Sequence, residues 1–303
     1  MINEYHHSQF LPVSTLVELK RINKTSISVV IPTLNEEKTI GKIVNNISSA
    51  LKQEATLVDE IIVMDGSSQD KTKSVAKKAG ARVFDVEEIQ ADSFSVNGKG
   101  AALWKSLFVA HGDILVCIDA DISNFDQRFV YGIAAPLLMD SSIEFVKGKY
   151  RRPLRVNGET IHDYGGRVTE ILIRPLLSMF YPDLAQVAQP LSGEYGFRKK
   201  SISQVPFSSG YGVEIGLLID MYALFGLDAI AQVDMGTRYH RNRSGVELGE
   251  MSFGILQTFF KKLEQKKITK ITESLHTQMK SLIDNRVVEK QIREIILPPF
   301  DEV

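Results

Sequence analysis

Ser28-Val29-Val30-Ile31-Pro32-Thr33-Leu34-Asn35-Glu36 is a β-branched run that stops at a proline and passes into polar residues. Such a run predicts a buried strand followed by a loop. Ile40, Ile43, Val44 and Ile47 then recur at helical spacing, so the unit is strand, loop, helix. The unit repeats outward from there. Residues 60–64 predict a second strand, Asp65-Gly66-Ser67-Ser68 its turn, and residues 70–79 a helix that Gly80 ends. Residues 81–84 predict a third strand, 99–110 a helix and 113–118 a fourth strand. Strands alternating with helices imply an α/β fold with a doubly wound, mostly parallel sheet. In such sheets ligands bind beyond the carboxyl ends of the strands.

Beyond residue 140 the pattern is less regular. Residues 142–149 predict a strand, 162–180 a helix kinked or broken at Pro175, 212–225 a helix, 230–233 a strand and 253–263 a helix. The expected organisation is a polar lead-in over 1–25 with a short helical piece near 15–21, and a catalytic domain over 26–263. Its two halves divide near residue 150, and a charged, helical C-terminal tail follows over 264–303.

A chain of 303 residues with 44% hydrophobic and 24% charged residues can bury the core of one large enzyme domain. Its net charge of −1 supplies no basic excess, which argues against a nucleic-acid partner. The single cysteine, Cys117, lies in the apolar run Ile114-Leu115-Val116-Cys117-Ile118. It reads as a buried strand residue; one cysteine makes no internal disulfide and no cysteine cluster for zinc. The first ten residues have no signal-peptide core, and no apolar stretch approaches the ~20 residues of a membrane span. The expected protein is cytoplasmic, without a membrane partner.

The chemistry concentrates where the strands end. Asp119-Ala120-Asp121 follows the fourth strand, and residues i and i+2 of an extended segment point the same way. Two close carboxylates repel unless a cation sits between them, and oxygen ligands suit Mg²⁺ or Mn²⁺; a solvated turn is the alternative. Asn35, Glu36 and Asp65 can hydrogen-bond a base or ribose, or serve as a helix cap (Asn35) and a turn (Asp65-Gly66). Asn97-Gly98-Lys99-Gly100 precedes a helix. Its lysine either contacts a diphosphate or is an ordinary loop lysine. Gly165-Gly166-Arg167-Val168-Thr169 opens a helix and offers N–H groups, a guanidinium and a hydroxyl to an anion, although Thr169 also reads as a plain helix residue. In Arg238-Tyr239-His240-Arg241-Asn242-Arg243 the arginines favour an anion. His240 is either a surface residue or a metal ligand beside Asp121.

Residues 28–36, 65–70 and Asp119-Ala120-Asp121 resemble the nucleotide-binding half of a GT-A glycosyltransferase. Four later stretches resemble the retaining glucosyl-3-phosphoglycerate synthases, which make a precursor of glucosylglycerate. These are Gly166-Arg167-Val168-Thr169-Glu170, Gln189-Pro190-Leu191-Ser192-Gly193-Glu194-Tyr195, Gly210-Tyr211-Gly212-Val213-Glu214-Ile215-Gly216 and His240-Arg241-Asn242-Arg243. The resemblance spans about residues 26–260. It implies that UDP-glucose or GDP-glucose sits on Pro32, Thr33, Leu34, Asn35, Glu36, Asp65, Ser67, Lys99, Asp119 and Ala120. Asp121 and His240 would hold Mg²⁺ or Mn²⁺, with Asp119 nearby. 3-Phosphoglycerate would lie on Gly166, Arg167, Thr169, Tyr211, Glu214 and Asn242. It further implies attack from the leaving-group face near the Leu191 backbone carbonyl, and a homodimer. Glu194 and Glu214 stay open as nucleophiles or orienting groups.

Three alternatives compete. Another GT-A transferase, such as a mannosyl-3-phosphoglycerate synthase or a polyprenyl-phosphate sugar transferase, would share the first half. A sugar-1-phosphate nucleotidyltransferase would show a glycine-rich loop after the first strand, and Pro32-Thr33-Leu34-Asn35-Glu36 is not one. A non-catalytic nucleotide-sugar-binding protein would have no need of Asp119, Asp121 and His240.

Overall fold

The computed structural model describes residues 2–90, 94–156, 159–161, 166–239, 243–283 and 286–303. The chain opens with β1 (Asn3–His6) and α1 (Val13–Asn23) and then enters the expected alternation. This runs β2 (Ile27–Thr33), α2 (Ile40–Asn46), β3 (Glu60–Asp65), α3 (Thr72–Lys78), β4 (Arg82–Asp85), α4 (Lys99–Val109), β5 (Ile114–Cys117) and α5 (Arg128–Met139). The second half contains β6 (Phe145–Arg151), the short pair β7 (Leu154–Val156) and β8 (Glu159–Ile161), α6 (Arg174–Phe180), β9 (Tyr195–Arg198) and α7 (Lys199–Ile202). Then come β10 (Phe207–Ser208), α8 (Val213–Phe225), β11 (Ile230–Thr237), α9 (Gly245–Gln265), β12 (Gln278–Ile283), β13 (Arg286–Gln291) and β14 (Ile296–Leu297).

Among the described residues, eight strands form one sheet in the order β1-β11-β6-β9-β5-β2-β3-β4. All neighbours are parallel except β9, which runs antiparallel to both β5 and β6. Both faces are covered, which is why β2 and β3 read as unbroken apolar runs. Val29, Ile31, Val63 and Val116 pack under α1, α2, α3 and α5. Val30, Ile62, Leu115 and Cys117 pack under α4, α6, α8 and α9. Alternate residues of one strand thus feed opposite layers.

The reversed strand β9 shapes the site. Its amino end lies beside the carboxyl ends of β5 and β6, so residues 191–194 arrive at the edge where Asp119 emerges. A Cβ at Gly193 would overlap the Asp119 carboxylate, so glycine is needed for this close approach.

Several expectations need correction. The lead-in is part of the fold: β1 pairs in parallel with β11 at the sheet edge, and Phe10 and Leu16 are buried. Among its described residues the tail over 264–303 is mostly extended, with helix only at the end of α9 and in a 3-10 turn at Phe300–Glu302. Helix α9 ends at Gln265, and Lys267 turns left-handed (φ 58°). An antiparallel hairpin β12–β13 follows, and β14 pairs with β10. The β-branched residues Ile268, Thr269, Ile271, Thr272, Val287 and Val288 favour extended backbone, and the charges that suggested a solvated helix lie along an exposed hairpin. Helix α9 begins at Gly245 rather than near 253, because Ser244 and Glu247 form a reciprocal capping box. In the expected helix over 162–180, residues 162–165 lie outside the described residues, and a π-turn (Thr169–Ile173) leads into α6. Helical backbone runs over 167–180, so Pro175 does not break it; the π-turn directly before the proline is the distortion of the kind expected there. Among the described residues no helix is long and apolar enough to cross a membrane.

Candidate active site

A cavity of about 640 Å³ opens at the carboxyl edge of the sheet. Its first wall comes from the ends of β2, β3 and β5 and the start of α4. Pro32, Thr33, Leu34, Asn35, Glu36, Gly66, Lys99, Asp119, Ala120 and Asp121 all line it. Two of the expected donor contacts stand differently: Asp65 and Ser67 are not on the wall. Asp65 is fully buried beneath it. Its carboxylate accepts from Thr33 Oγ1 (3.0 Å), Ser68 N (2.8 Å) and Ser68 Oγ (2.7 Å), so it braces the two strand-end loops. Asn35 is not the cap of α2, a position taken by Thr39. In a left-handed conformation (φ 58°), it donates from N to Ser68 Oγ (2.8 Å) and accepts at Oδ1 from Gln69 N (2.9 Å).

At the centre of the cavity the charges are paired. Asp119 and Asp121 do face one point, and the guanidinium of Arg238 occupies it: Nη2 lies 2.9 Å from Asp119 Oδ2 and 2.7 Å from Asp121 Oδ1. The same nitrogen is 3.3 Å from Glu194 Oε1, and Nη1 donates to Tyr150 Oη at 3.1 Å. Lys99 Nζ bridges Asp119 Oδ1 and Glu214 Oε1, each at 2.7 Å. Lys99 is therefore not a loop lysine: it opens α4, and its ammonium is paired with two carboxylates on the cavity lining. Arg238, read from sequence as part of an anion-binding cluster, is 2% exposed and serves the carboxylates instead.

The electrostatics follow from burial and pairing. Burial alone would raise the Asp119 carboxyl, but Lys99 and Arg238 hold it well below the ordinary range. Burial opposes the charge of Lys99, yet Asp119 and Glu214 keep its ammonium protonated far above normal. Burial raises Glu194 despite Arg238; Glu194 is fully buried, accepts from Tyr150 Oη and is not on the cavity wall.

The rest of the lining includes Gly166, Arg167, Thr169, Leu191, Tyr211 and Glu214, together with Arg152 and Arg243. Arg167 donates to the Arg243 carbonyl (3.0 Å), and Arg243 to Tyr211 Oη (3.1 Å) while lying 5.3 Å from that ring's centre. His240 and Asn242, the expected metal and acceptor ligands, lie outside the described residues. Arg152 was not foreseen, since it follows an irregular strand end. Leu248, Met251 and Ile255 of α9 also line the cavity; the capping box was the signal that would have placed them on a helix reaching back to it.

Lys147 stands behind this centre, 1% exposed, donating from Nζ to the Ser192 carbonyl (2.7 Å) and 4.6 Å from the Tyr195 ring centre. Burial pushes its amine down to about 7 from 10.5. Between those pH values the unfolded chain holds a proton that the folded chain lacks, so stability is expected to rise with pH across that window. Below it, both states are protonated and the cost of the buried charge is fully present. Lys147→Met is expected to remove this slope and to stabilise most at about pH 6. Thermal unfolding of both proteins across this range checks it, and identical pH slopes would contradict it.

The mostly parallel sheet with an acidic pair beyond β5 is the GT-A glycosyltransferase arrangement, and residues 28–140 match the family described as Glycosyl transferase family 2. The chain is 43% identical over 298 residues to the glucosyl-3-phosphoglycerate synthase of Petrotoga mobilis, covering 98% of this chain and 90% of that protein. It belongs to the glucosyl-3-phosphoglycerate synthase family. Among solved structures it resembles the mannosyl-3-phosphoglycerate synthase of Rubrobacter xylanophilus (TM-score 0.91, 34% identity, 99% of this chain and 97% of that one). It also resembles the glucosyl-3-phosphoglycerate synthase of Mycobacterium tuberculosis, solved with Mn²⁺, UDP and glucosyl-3-phosphoglycerate (TM-score 0.87, 38% identity, 100% and 99% of the two chains). That enzyme has also been solved with UDP-glucose and phosphoglyceric acid.

Proposed function

We propose that this chain transfers glucose from UDP-glucose to 3-phosphoglycerate with retention of anomeric configuration, using Mg²⁺ or Mn²⁺. The observation that carries the reading is one cavity with two chemically distinct sets of lining residues: an acidic pair at the strand ends, and Arg152, Arg167, Arg243 and Tyr211. The first set suits a metal–diphosphate, the second a small acceptor bearing phosphate and carboxylate.

The residues fit a divalent cation. Asp119 and Asp121 converge on a single cationic group, and both offer hard oxygen donors. Among the described residues no group of three His, Cys, Asp or Glu is placed to hold a metal. Asp121 would hold it with His240, and Asp119 beside them. The metal, when bound, offsets charge growing on the departing diphosphate. Lys99 fixes Asp119 and Glu214 relative to one another. Glu194 is buried behind Arg238, which favours same-face attack near the Leu191 carbonyl over a covalent intermediate on Glu194. Glu214 is on the wall but paired with Lys99, which suits an orienting role.

Nucleotide release with Mg²⁺ tests the reading, with UDP-glucose, GDP-glucose and GDP-mannose crossed against 3-phosphoglycerate, glycerate and no acceptor. Release that needs a glucose donor and 3-phosphoglycerate is expected. Mannose transfer is the second reading, favoured by the likeness to the Rubrobacter enzyme; it predicts release from GDP-mannose instead. Arg167→Ala is expected to raise the acceptor KM on the order of 10-fold, through loss of a charge-assisted contact. An unchanged KM removes Arg167 from the acceptor wall.

The same reading includes a cytoplasmic location, where nucleotide sugars and phosphorylated metabolites occur together; secretion of the native protein would contradict it. It also includes a homodimer, supported by the hairpin β12–β13, whose Val287 and Val288 are 65% and 45% exposed. A monomer mass in sedimentation equilibrium removes that part.

A further inference from the structure

Glu294 belongs to the tail, beyond the last of the sequence stretches singled out above, yet it is 3% exposed. Its carboxylate reaches under the turn at the cavity mouth: Oε2 accepts from Gly210 N at 2.7 Å and Oε1 from Gly212 N at 3.3 Å. Room for it is built in. A Cβ at Gly210 would overlap Oε1, and one at Gly254 of α9 would come within 2.7 Å. The segment that carries Glu294 is fixed on two sides. Gln257 of α9 accepts from Glu294 N (3.1 Å) and donates to the Ile292 carbonyl (2.9 Å), and Ser209 N donates to the Ile295 carbonyl (2.8 Å).

The turn held this way presents Tyr211 to the cavity and opens α8, whose first turn carries Glu214. Gly212 is the N-cap of α8, so one of the two N–H groups that the carboxylate satisfies is one that the helix start leaves unpaired. We infer that Glu294 is a positioning residue: its carboxylate clamps the turn 210–212, so that Tyr211 and Glu214 form the acceptor wall. The segment 292–297 is then part of the acceptor site, although it touches no substrate. The link to the acceptor rests on the function proposed above; the clamp itself does not.

The test is Glu294→Gln, which keeps the size but leaves one of the two N–H groups facing an amide NH₂. Two readouts are taken on the full chain. Amide hydrogen exchange of a peptide covering 208–216 is expected to speed up about 10-fold. The acceptor KM for 3-phosphoglycerate is expected to rise about 10-fold, with the UDP-glucose Kd by calorimetry within about twofold of wild type. Unchanged exchange, or a uniform loss of donor and acceptor binding, overturns the inference. Faster exchange with an unchanged acceptor KM also overturns it, because the turn would then not serve the acceptor. If the wild-type chain shows the clamp by exchange but turns over no 3-phosphoglycerate, the proposed reaction fails and the clamp stands. Should Glu294→Gln not fold, Glu294→Asp, which is one methylene shorter, is measured the same way with the same outcomes.

Discussion

Asp121→Ala is expected to lower kcat/KM with Mg²⁺ by at least about 100-fold, the scale on which an electrostatic group acting on the leaving charge contributes. The fold should survive. The Asp121 side chain is 26% exposed and pairs with Arg238, which keeps Asp119, Glu194 and Tyr150 as partners. Activity and stability therefore separate at this position. The unfolding temperature in chelator should stay close to wild type, while nucleotide release and calorimetric Mg²⁺ binding should both collapse. A variant with full turnover would place the metal elsewhere.

Arg238→Ala is expected to do the reverse and strike stability first. The guanidinium compensates Asp119, Asp121 and the fully buried Glu194. Removing it leaves three carboxylates close together, one of them fully buried, and breaking a buried pair costs about 3–5 kcal/mol. Part of that is relieved if Glu194 takes up a proton, since burial already raises its carboxyl. The folded state then binds more protons than the unfolded chain, so the variant should lose stability as pH rises. Divalent cations should recover part of the loss, because a metal can replace the missing charge between Asp119 and Asp121. Thermal unfolding at about pH 5 and about pH 8, with and without Mg²⁺, measures both effects. A variant as stable as wild type at both pH values, with no metal dependence, would show that Arg238 does not hold the carboxylates together.

The half of the molecule most legible from sequence is the half built from local signals. Strands β2, β3 and β5 are short apolar runs buried on both faces, and residues just past each line the cavity: Leu34, Asn35 and Glu36, then Gly66, then Asp119 to Asp121. Direction of the sheet and place of the site follow from that alternation. What was not legible depends on residues far apart in the chain. Strand β9 is four residues long and lacks a long apolar run, so its reversal, which delivers Leu191 and Glu194, is visible only in three dimensions. β1 spans Asn3–His6 and is polar; it becomes a strand because β11 offers an open edge. Asp65 reads from sequence as a ligand, and in the structure its carboxylate is turned onto Thr33 and Ser68; no local feature distinguishes that from a carboxylate facing solvent. Arg238 sits within a basic cluster that suggests an anion. Its partner Glu194 is 44 residues earlier by sequence number, and the pairing needs the antiparallel strand to bring them together. Glu294 was hidden by the charged composition of the tail around it.

The most direct measurement is proton NMR of the product formed from UDP-glucose and 3-phosphoglycerate with Mg²⁺. The expected product is a phosphoglycerate carrying one glucose in α linkage, with UDP released in equal amount. A β-linked product would contradict retention. Free glucose, or no consumption of 3-phosphoglycerate, would contradict the transfer itself.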